Sequence, residues 1–309
     1  ILFSIIINIL QFSTRFNLVA KIISGNQISK IVYSEVKEEM DNAGIYPGLA
    51  VILVGSNPAS ISYVKRKEIA CNEVGIHTET FSFEENISQD KLIKFIYKLN
   101  QNEKFSGILV QLPLPSHLDE QNIIDSILPI KDVDGLTSEN SGLLFLGQPR
   151  FIPATPYGIL RLLKENKITT KGKTVVIVGR SKLVGLPLAS ILLRKGDYGD
   201  ATVISCHSKT NNLAQHTKKA DILVAAIGSP KFITQKMVSH NTCVIDVGVN
   251  RVIDTKKDKG FALVGDVDYE KVKNIASYIT PVPGGVGPMT VAMLLKNVSK
   301  SAKILKKIK

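Results

Sequence analysis

The sequence has no tryptophan and only three cysteines, Cys71, Cys206 and Cys243, which stand far apart with no Cys-x-x-Cys pair. An odd number at such spacings argues against a disulfide framework and against a structural zinc site, and a reducing compartment is the simpler setting. A membrane-length apolar run is also missing. Residues 1–12 are apolar but fall short of the ~20 needed to span a bilayer, with neither a basic lead-in nor a clear small-residue cleavage site after them. Residues 1–17 are therefore expected to be an extension outside the fold. Acidic charge is in deficit, with 27 Asp and Glu against 39 Lys and Arg, a formal net charge of +12. That surplus suits anionic partners. Yet the lysines are scattered, apart from a short tail run at Lys303, Lys306, Lys307 and Lys309. Clustered basic residues interleaved with aromatics, which a nucleic-acid surface wants, are not seen. Phosphorylated or carboxylated small molecules are the better fit, and neither nucleic acid nor membrane is expected as a partner.

What is present is an α/β pattern in a chain of 309 residues, long enough for two domains that each bury a core. Its organising stretch is Lys173–Ala189. Val175–Val178 is a short β-branched run suited to a parallel strand covered on both faces, Gly179 permits a sharp turn, and a helix is expected from about Val184. Unpaired amides and the positive dipole end at such a helix N-terminus can seat a pyrophosphate. The match to G-x-G-x-x-G is imperfect, since Ser181 replaces the middle glycine and Gly185 lies one residue late. Alone, the motif also fits an ordinary glycine turn.

Upstream, Gln27–Met40 reads as an amphipathic helix, Leu49–Val54 as a buried strand, and Asn57-Pro58 as the start of a helix running to about Val74. On that helix Tyr63, Lys67, Ala70 and Val74 share one face, so Lys67 points where apolar side chains point. A snorkelling lysine is the competing reading. Ser88–Asn100 gives another amphipathic helix, and Gly107–Val110 a second buried strand ending at Gln111. The two strands should pair in parallel, which places Gly55-Ser56 and Gln111 on the carboxyl edge, where open α/β sheets bind ligands. A strand-end amide facing water is the alternative for Gln111. After a helix at Glu120–Leu128, Lys131-Asp-Val-Asp-Gly135 sets two carboxylates beside a turn glycine, for a metal or for turn capping. Residues 141–152 read as a linker, and Thr155-Pro156 as the start of the second domain.

In the second domain the strand Ala201–Ser205 ends in Cys206-His-Ser-Lys209, where NAD-type sites usually place an acidic residue. Ser208, Lys209 and Arg180 suit a 2′-phosphate instead, so NADP is expected over NAD. Asp221–Ala226 and Cys243–Val247 supply further strands of a doubly wound sheet. Pro281-Val-Pro-Gly-Gly-Val-Gly-Pro288 then leaves few side chains over its backbone just before a C-terminal helix, as a surface for a flat ligand would. A proline-rich connection would look the same.

Five motifs taken together, Tyr63-Val-Lys-Arg-Lys67, Val110-Gln-Leu-Pro-Leu-Pro115, Lys131-Asp-Val-Asp-Gly135, Gly179-Arg-Ser-Lys182 and Pro281–Pro288, make the chain resemble the bifunctional methylenetetrahydrofolate dehydrogenase/cyclohydrolase family from about Leu18 onward. The resemblance implies two α/β domains, residues 18–150 and 151–287, the second a Rossmann-like doubly wound parallel sheet. It also implies a C-terminal helix (288–309) returning to the first domain, and a homodimer. It makes Tyr63 the stacking group on the folate, Lys67 the acid/base group, Gln111 its orienting partner and Asp134 the holder of the pterin edge. Val110, Leu112, Pro281, Val282, Pro283, Gly284 and Gly285 would complete the folate cleft, and Gly179, Arg180, Ser181, Ser208 and Val249 would bind NADP. The implied reactions are oxidation of 5,10-methylenetetrahydrofolate to the methenyl form and its hydrolysis to 10-formyltetrahydrofolate. The family core lacks the N-terminal extension, and it commonly has Ile where Val249 stands. A dehydrogenase without the hydrolase step is the nearest alternative.

Overall fold

The computed structural model describes residues 19–256 and 260–308; the expected N-terminal extension lies outside them. In chain order the elements are β1 (Lys21–Ile22), α1 (Gly25–Ala43), β2 (Gly48–Val54), α2 (Pro58–Val74), β3 (His77–Phe83), α3 (Gln89–Gln101), β4 (Gly107–Val110), α4 (Glu120–Asp125) and α5 (Ser138–Phe145). They continue with α6 (Ala154–Glu165), β5 (Thr174–Val178), α7 (Gly185–Leu193), β6 (Thr202–Cys206), α8 (Leu213–Thr217), β7 (Ile222–Ala225), β8 (Cys243–Asp246), β9 (Asn250–Ile253), β10 (Phe261–Val264), α9 (Tyr269–Val272), β11 (Tyr278–Ile279) and α10 (Val286–Ile308).

Two parallel sheets carry the fold. In the first, β2 lies between β3 and β4 and is buried along its whole length, as its unbroken apolar run requires. The second has the order β1-β11-β8-β7-β5-β6, also parallel. The order in which successive strands are laid down reverses beside one strand, β2 in the first sheet and β5 in the second. Connections leave these strands to opposite sides and open a crevice at their carboxyl ends. Helix α2 starts where the sequence signals it: Asn57 Oδ1 accepts from the amides of Ala59 (2.9 Å) and Ser60 (3.3 Å), and Pro58 occupies the first turn.

The C-terminal helix α10 packs on α1, α2 and α6, and one continuous apolar core, including Leu49, Val64, Ile159, Val175, Met289 and Leu295, joins the two sheets through it. Asn297 on α10 donates to the carbonyls of Val133 (2.8 Å) and Ile152 (2.9 Å), so the helix also pins the Asp134 segment. On its other side Lys296 and Lys303 meet Glu35 and Glu39 of α1, and Arg161 of α6 closes the network on Glu35.

The structure departs from the sequence reading in several places. The 141–152 linker contains much of α5, a helix whose Thr137 side chain caps the Asn140 amide. The helix expected over Glu120–Leu128 stops at Asp125. Strand β3 was not anticipated, because His77-Thr-Glu-Thr-Phe-Ser-Phe83 is an edge strand with polar residues on both faces. Strand β1 lies within the residues expected for the first unit, 18–150, yet pairs with β11 in the second sheet. Among the described residues, no helix is long and apolar enough to cross a membrane.

Candidate active site

Lys67 sits on α2 with 7% of its surface exposed, so its face is a packed one. Its Nζ donates to Gln111 Oε1 at 3.0 Å. Gln111 stands directly beyond β4, held by its own amide on the Ile52 carbonyl (2.8 Å) and by Nε2 donating to the Leu112 carbonyl (2.8 Å). With the amide hydrogens so engaged, the oxygen is the end that faces the lysine. Burial lowers the Lys67 pKa from the ordinary lysine range, and the nearby Asp134 charge opposes that shift less strongly.

The two carboxylates of Asp-Val-Asp do different work. Residues 131–133 lie beside β4, bridged at Ile108 and Asp132, and Asp132 is consumed by its surroundings. It accepts from the amides of Gly135 (3.0 Å) and Thr137 (2.8 Å) and from Asn140 Nδ2 (2.8 Å). Buried Lys131 is equally committed, its Nζ donating to the carbonyls of Leu99 and Asn102 at the end of α3. Asp134 instead keeps a partly open side chain on the cleft wall, and among the described residues no group donates a hydrogen bond to its carboxylate. Burial raises its pKa, with the Lys67 charge acting in the opposite direction.

Lys67, Gln111 and Asp134 line a cavity of about 310 Å³ together with Tyr63, Val110, Leu112 and Val249, roofed by Val286, Gly287 and Thr290 at the start of α10. Tyr63 also borders an adjoining cavity of about 410 Å³, whose walls include Pro281, Val282, Pro283, Gly284, Gly285 and again Val249. Tyr63 is thus the partition between a lysine-lined chamber and a proline-glycine wall, with the Arg66 guanidinium 5.8 Å from its ring centroid.

Gly179, Arg180, Ser181 and Ser208 line neither cavity, but the turn that bears the first three leads into the 310 Å³ cavity through Leu183 and Val184. The register Val178 to Cys206 sets the ends of β5 and β6 side by side, with Arg180 and Ser208 each two residues beyond and both exposed. A Cβ on Gly179 would lie 2.1 Å from the Ala226 carbonyl oxygen, and one on Gly185 would lie 2.0 Å from the Gly179 carbonyl oxygen. Only glycine lets the three backbones meet at this crevice. Ser181 Oγ accepts from the Val184 amide at 3.1 Å, shaping the turn into α7.

Asp246 and Asp266 escaped the sequence reading. Both are buried, Asp246 at the carboxyl end of β8 and at the edge of the larger cavity. Their signal was an acidic residue closing an apolar run, in Cys243-Val-Ile-Asp246 and again in Gly265-Asp266 after Phe261–Val264.

Residues 23–134 match the family model of the tetrahydrofolate dehydrogenase/cyclohydrolase catalytic domain, and residues 153–306 that of its NAD(P)-binding domain. The bifunctional protein FolD of Acetivibrio thermocellus is 49% identical over 293 residues, covering 94% of this chain and 99% of its own. The solved FolD of Campylobacter jejuni superposes with a TM-score of 0.86 at 46% identity, covering 93% of this chain and 99% of its own. That of Trypanosoma brucei, complexed with NADP cofactor and inhibitor, superposes with a TM-score of 0.88 at 36% identity and the same coverage. With both halves matched and relatives alike along nearly their whole length, the chain belongs to the tetrahydrofolate dehydrogenase/cyclohydrolase family.

Proposed function

We propose that the two activities of this family are run from one cleft, with Lys67 as the group that handles protons. The protein oxidises 5,10-methylenetetrahydrofolate to 5,10-methenyltetrahydrofolate with NADP and hydrolyses the product to 10-formyltetrahydrofolate, a step of one-carbon metabolism. The observation that carries the assignment of roles is the buried Lys67 amine, fixed by Gln111 and set in the same cavity as Asp134, whose carboxylate accepts no hydrogen bond among the described residues.

The pterin presents amine and amide N–H groups, and the Asp134 carboxylate offers acceptors that no donor among the described residues uses. Tyr63 supplies an aromatic face between the two cavities, on which the ring system stacks. NADP, when bound, takes a hydride from the methylene carbon, chemistry that asks the protein only for positioning. Hydrolysis asks for more. Water adds to the methenyl carbon and loses a proton; the remaining hydroxyl proton then leaves to solvent as the carbonyl forms and the bond from that carbon to N5 breaks, N5 keeping the electron pair and receiving a proton. Neutral Lys67 accepts the first proton and returns one to N5. A lysine with its pKa lowered by burial is suited to both halves of that exchange.

The residues present also fit the cofactor. The crevice beside β5 brings bare glycine backbone and the start of α7 together, as a pyrophosphate needs. Arg180 and Ser208 stand where a 2′-phosphate would lie, and the β6 end carries Cys206-His-Ser-Lys209 with no acidic residue. The division into a folate unit up to residue 150 and a nucleotide unit beyond it belongs to this reading, as do a homodimer and a cytoplasmic setting without nucleic acid. Three buried, free cysteines support the reducing compartment, and sedimentation tests the dimer. The functional test is NADPH formation and methenyl disappearance from supplied methylenetetrahydrofolate, with NADP and NAD compared. Equal efficiency with both cofactors would remove the 2′-phosphate role from Arg180 and Ser208.

A further inference from the structure

We infer that Asp266 is a positioning residue for the nucleotide cofactor, holding the turns after β7 and β8 in one geometry from behind the cleft. The inference rests on the cofactor reading above. Asp266 is fully buried. Its Oδ2 accepts from the amides of Ile227 (2.6 Å) and Gly228 (2.9 Å), and its Oδ1 from the Ser229 amide (3.0 Å) and Asn250 Nδ2 (2.8 Å). Three consecutive amides converging on one carboxylate fix the turn that begins at Ala226, whose carbonyl Gly179 must clear. The Asn250 bond ties the same carboxylate to the Val247–Val249 turn, which lines both cavities.

Asp246 completes the brace. Its Oδ1 accepts from the Gly248 amide (3.0 Å) and the Asp266 amide (2.9 Å), and its Oδ2 from the Val267 amide (3.0 Å). The two aspartates interlock through glycines: a Cβ at Gly248 would lie 2.1 Å from Asp266 Oδ1, and one at Gly265 would lie 1.8 Å from Asp246 Oδ2. Each acidic side chain therefore sits in a space that only glycine leaves open. The pair is bonded to the loops after β7 and β8, on the edge where β5 places its glycine turn, and to the loop after β10, a strand that pairs with β9. A fold that only needed to close this region could use apolar residues at lower desolvation cost. What four donors on one carboxylate supply is a fixed wall, Val247 to Val249 and Ala226 to Ser229, against which a flat ring is held.

In Asp266→Asn one amide nitrogen must face a backbone N–H, so at least one donor loses its partner. NADPH fluorescence titration should show binding weakened about tenfold, the size of one lost charge-assisted bond. Hydrogen exchange at Ile227, Gly228 and Ser229 should quicken in the unliganded protein. Cyclohydrolase activity on supplied methenyltetrahydrofolate should fall much less than NADP-dependent oxidation does, a split that general loss of structure would not produce. Asn250→Ala, which removes a single side-chain donor, carries the test if Asp266→Asn does not fold, with a smaller weakening of the same kind. Unchanged NADPH binding in the folded variant overturns the inference. Failure of the unmutated protein to bind NADPH overturns the cofactor assignment and the inference with it.

Discussion

Two sets of buried charge sit within the same molecule and could hardly be used more differently. At the junction of β7, β8 and β10, the carboxylates of Asp246 and Asp266 accept seven hydrogen bonds between them, six of these from backbone amides. In the cleft of the first unit Lys67 makes one bond, to Gln111, and Asp134 accepts none from the protein among the described residues. Burial alone therefore does not distinguish architecture from chemistry. The number of bonding positions left over does, because a desolvated charge is costly unless something completes its shell. On the proposed assignment, in the cleft that something is substrate and water.

The sharpest test of this contrast is Lys67→Met. General acid/base groups contribute about 10² to 10⁴ in rate, so hydrolysis should fall by that order. Dehydrogenase activity should fall less, through looser positioning only. Stability should not suffer at neutral pH. Burial disfavours the Lys67 ammonium, so its penalty on the fold is complete below the folded pKa and disappears as pH rises to the unfolded one. The measurement is paired initial rates and thermal melting on one preparation. Hydrolysis near the unmutated rate would return Lys67 to a packed, chemically idle lysine.

Next in size is the cofactor side. Arg180 is exposed, so Arg180→Ala should cost near the lower end of a charge-assisted phosphate contact, about 1.5 kcal/mol or tenfold in NADP efficiency. Efficiency with NAD should barely move, which steady-state kinetics with both cofactors will show.

The neighbouring aspartates bring the comparison down to two residues. Asp132→Asn should lower stability by about 1 to 3 kcal/mol, because an amide cannot accept from all three of its donors, while turnover per folded molecule is retained. Asp134→Asn should do the reverse, weakening folate binding with little loss of stability, since burial already penalises its charge. Denaturant midpoints and KM for the folate, measured on both variants, check the exchange of effects.

The ease of reading different parts of this chain follows the same physics. Strand β2, the Asn57-Pro58 cap and the parallel pairing of β2 with β4 were legible because local chemistry and burial agree there. Strand β3 was not, because an edge strand has no apolar period to display. The helix of residues 138–145 was hidden in a segment whose Phe145 and Leu146 stay exposed, so its pattern lacked a consistent inner face. Spacing on α2 put Lys67 on a packed face, yet which aspartate of Asp-Val-Asp meets the cleft depends on distant donors at Thr137 and Asn140. Asp246 and Asp266 were silent for a stronger reason. Their partners are backbone amides, which every sequence has, and only the crossing of three loops brings those amides together.

The last contrast belongs to Asp246 and appears in stability rather than turnover. Burial raises its pKa to about 7 despite three amide donors. Between the ordinary carboxylate range and that value, the folded protein holds a proton that the unfolded chain has released. Stability must therefore decline as pH rises through this window, by at most about 1.4 kcal/mol per pH unit for the single group. Below the window both states are protonated, and above it both are ionised with the penalty complete. Asp246→Asn removes the titration and should flatten that part of the profile, whatever its constant cost from one mismatched amide. Asp134 titrates in both proteins, so subtracting the two profiles cancels its share. Denaturant unfolding from about pH 4 to 8 gives the comparison. Parallel profiles would mean that the amides hold Asp246 ionised throughout, and that the junction is then as saturated electrically as it is in hydrogen bonds.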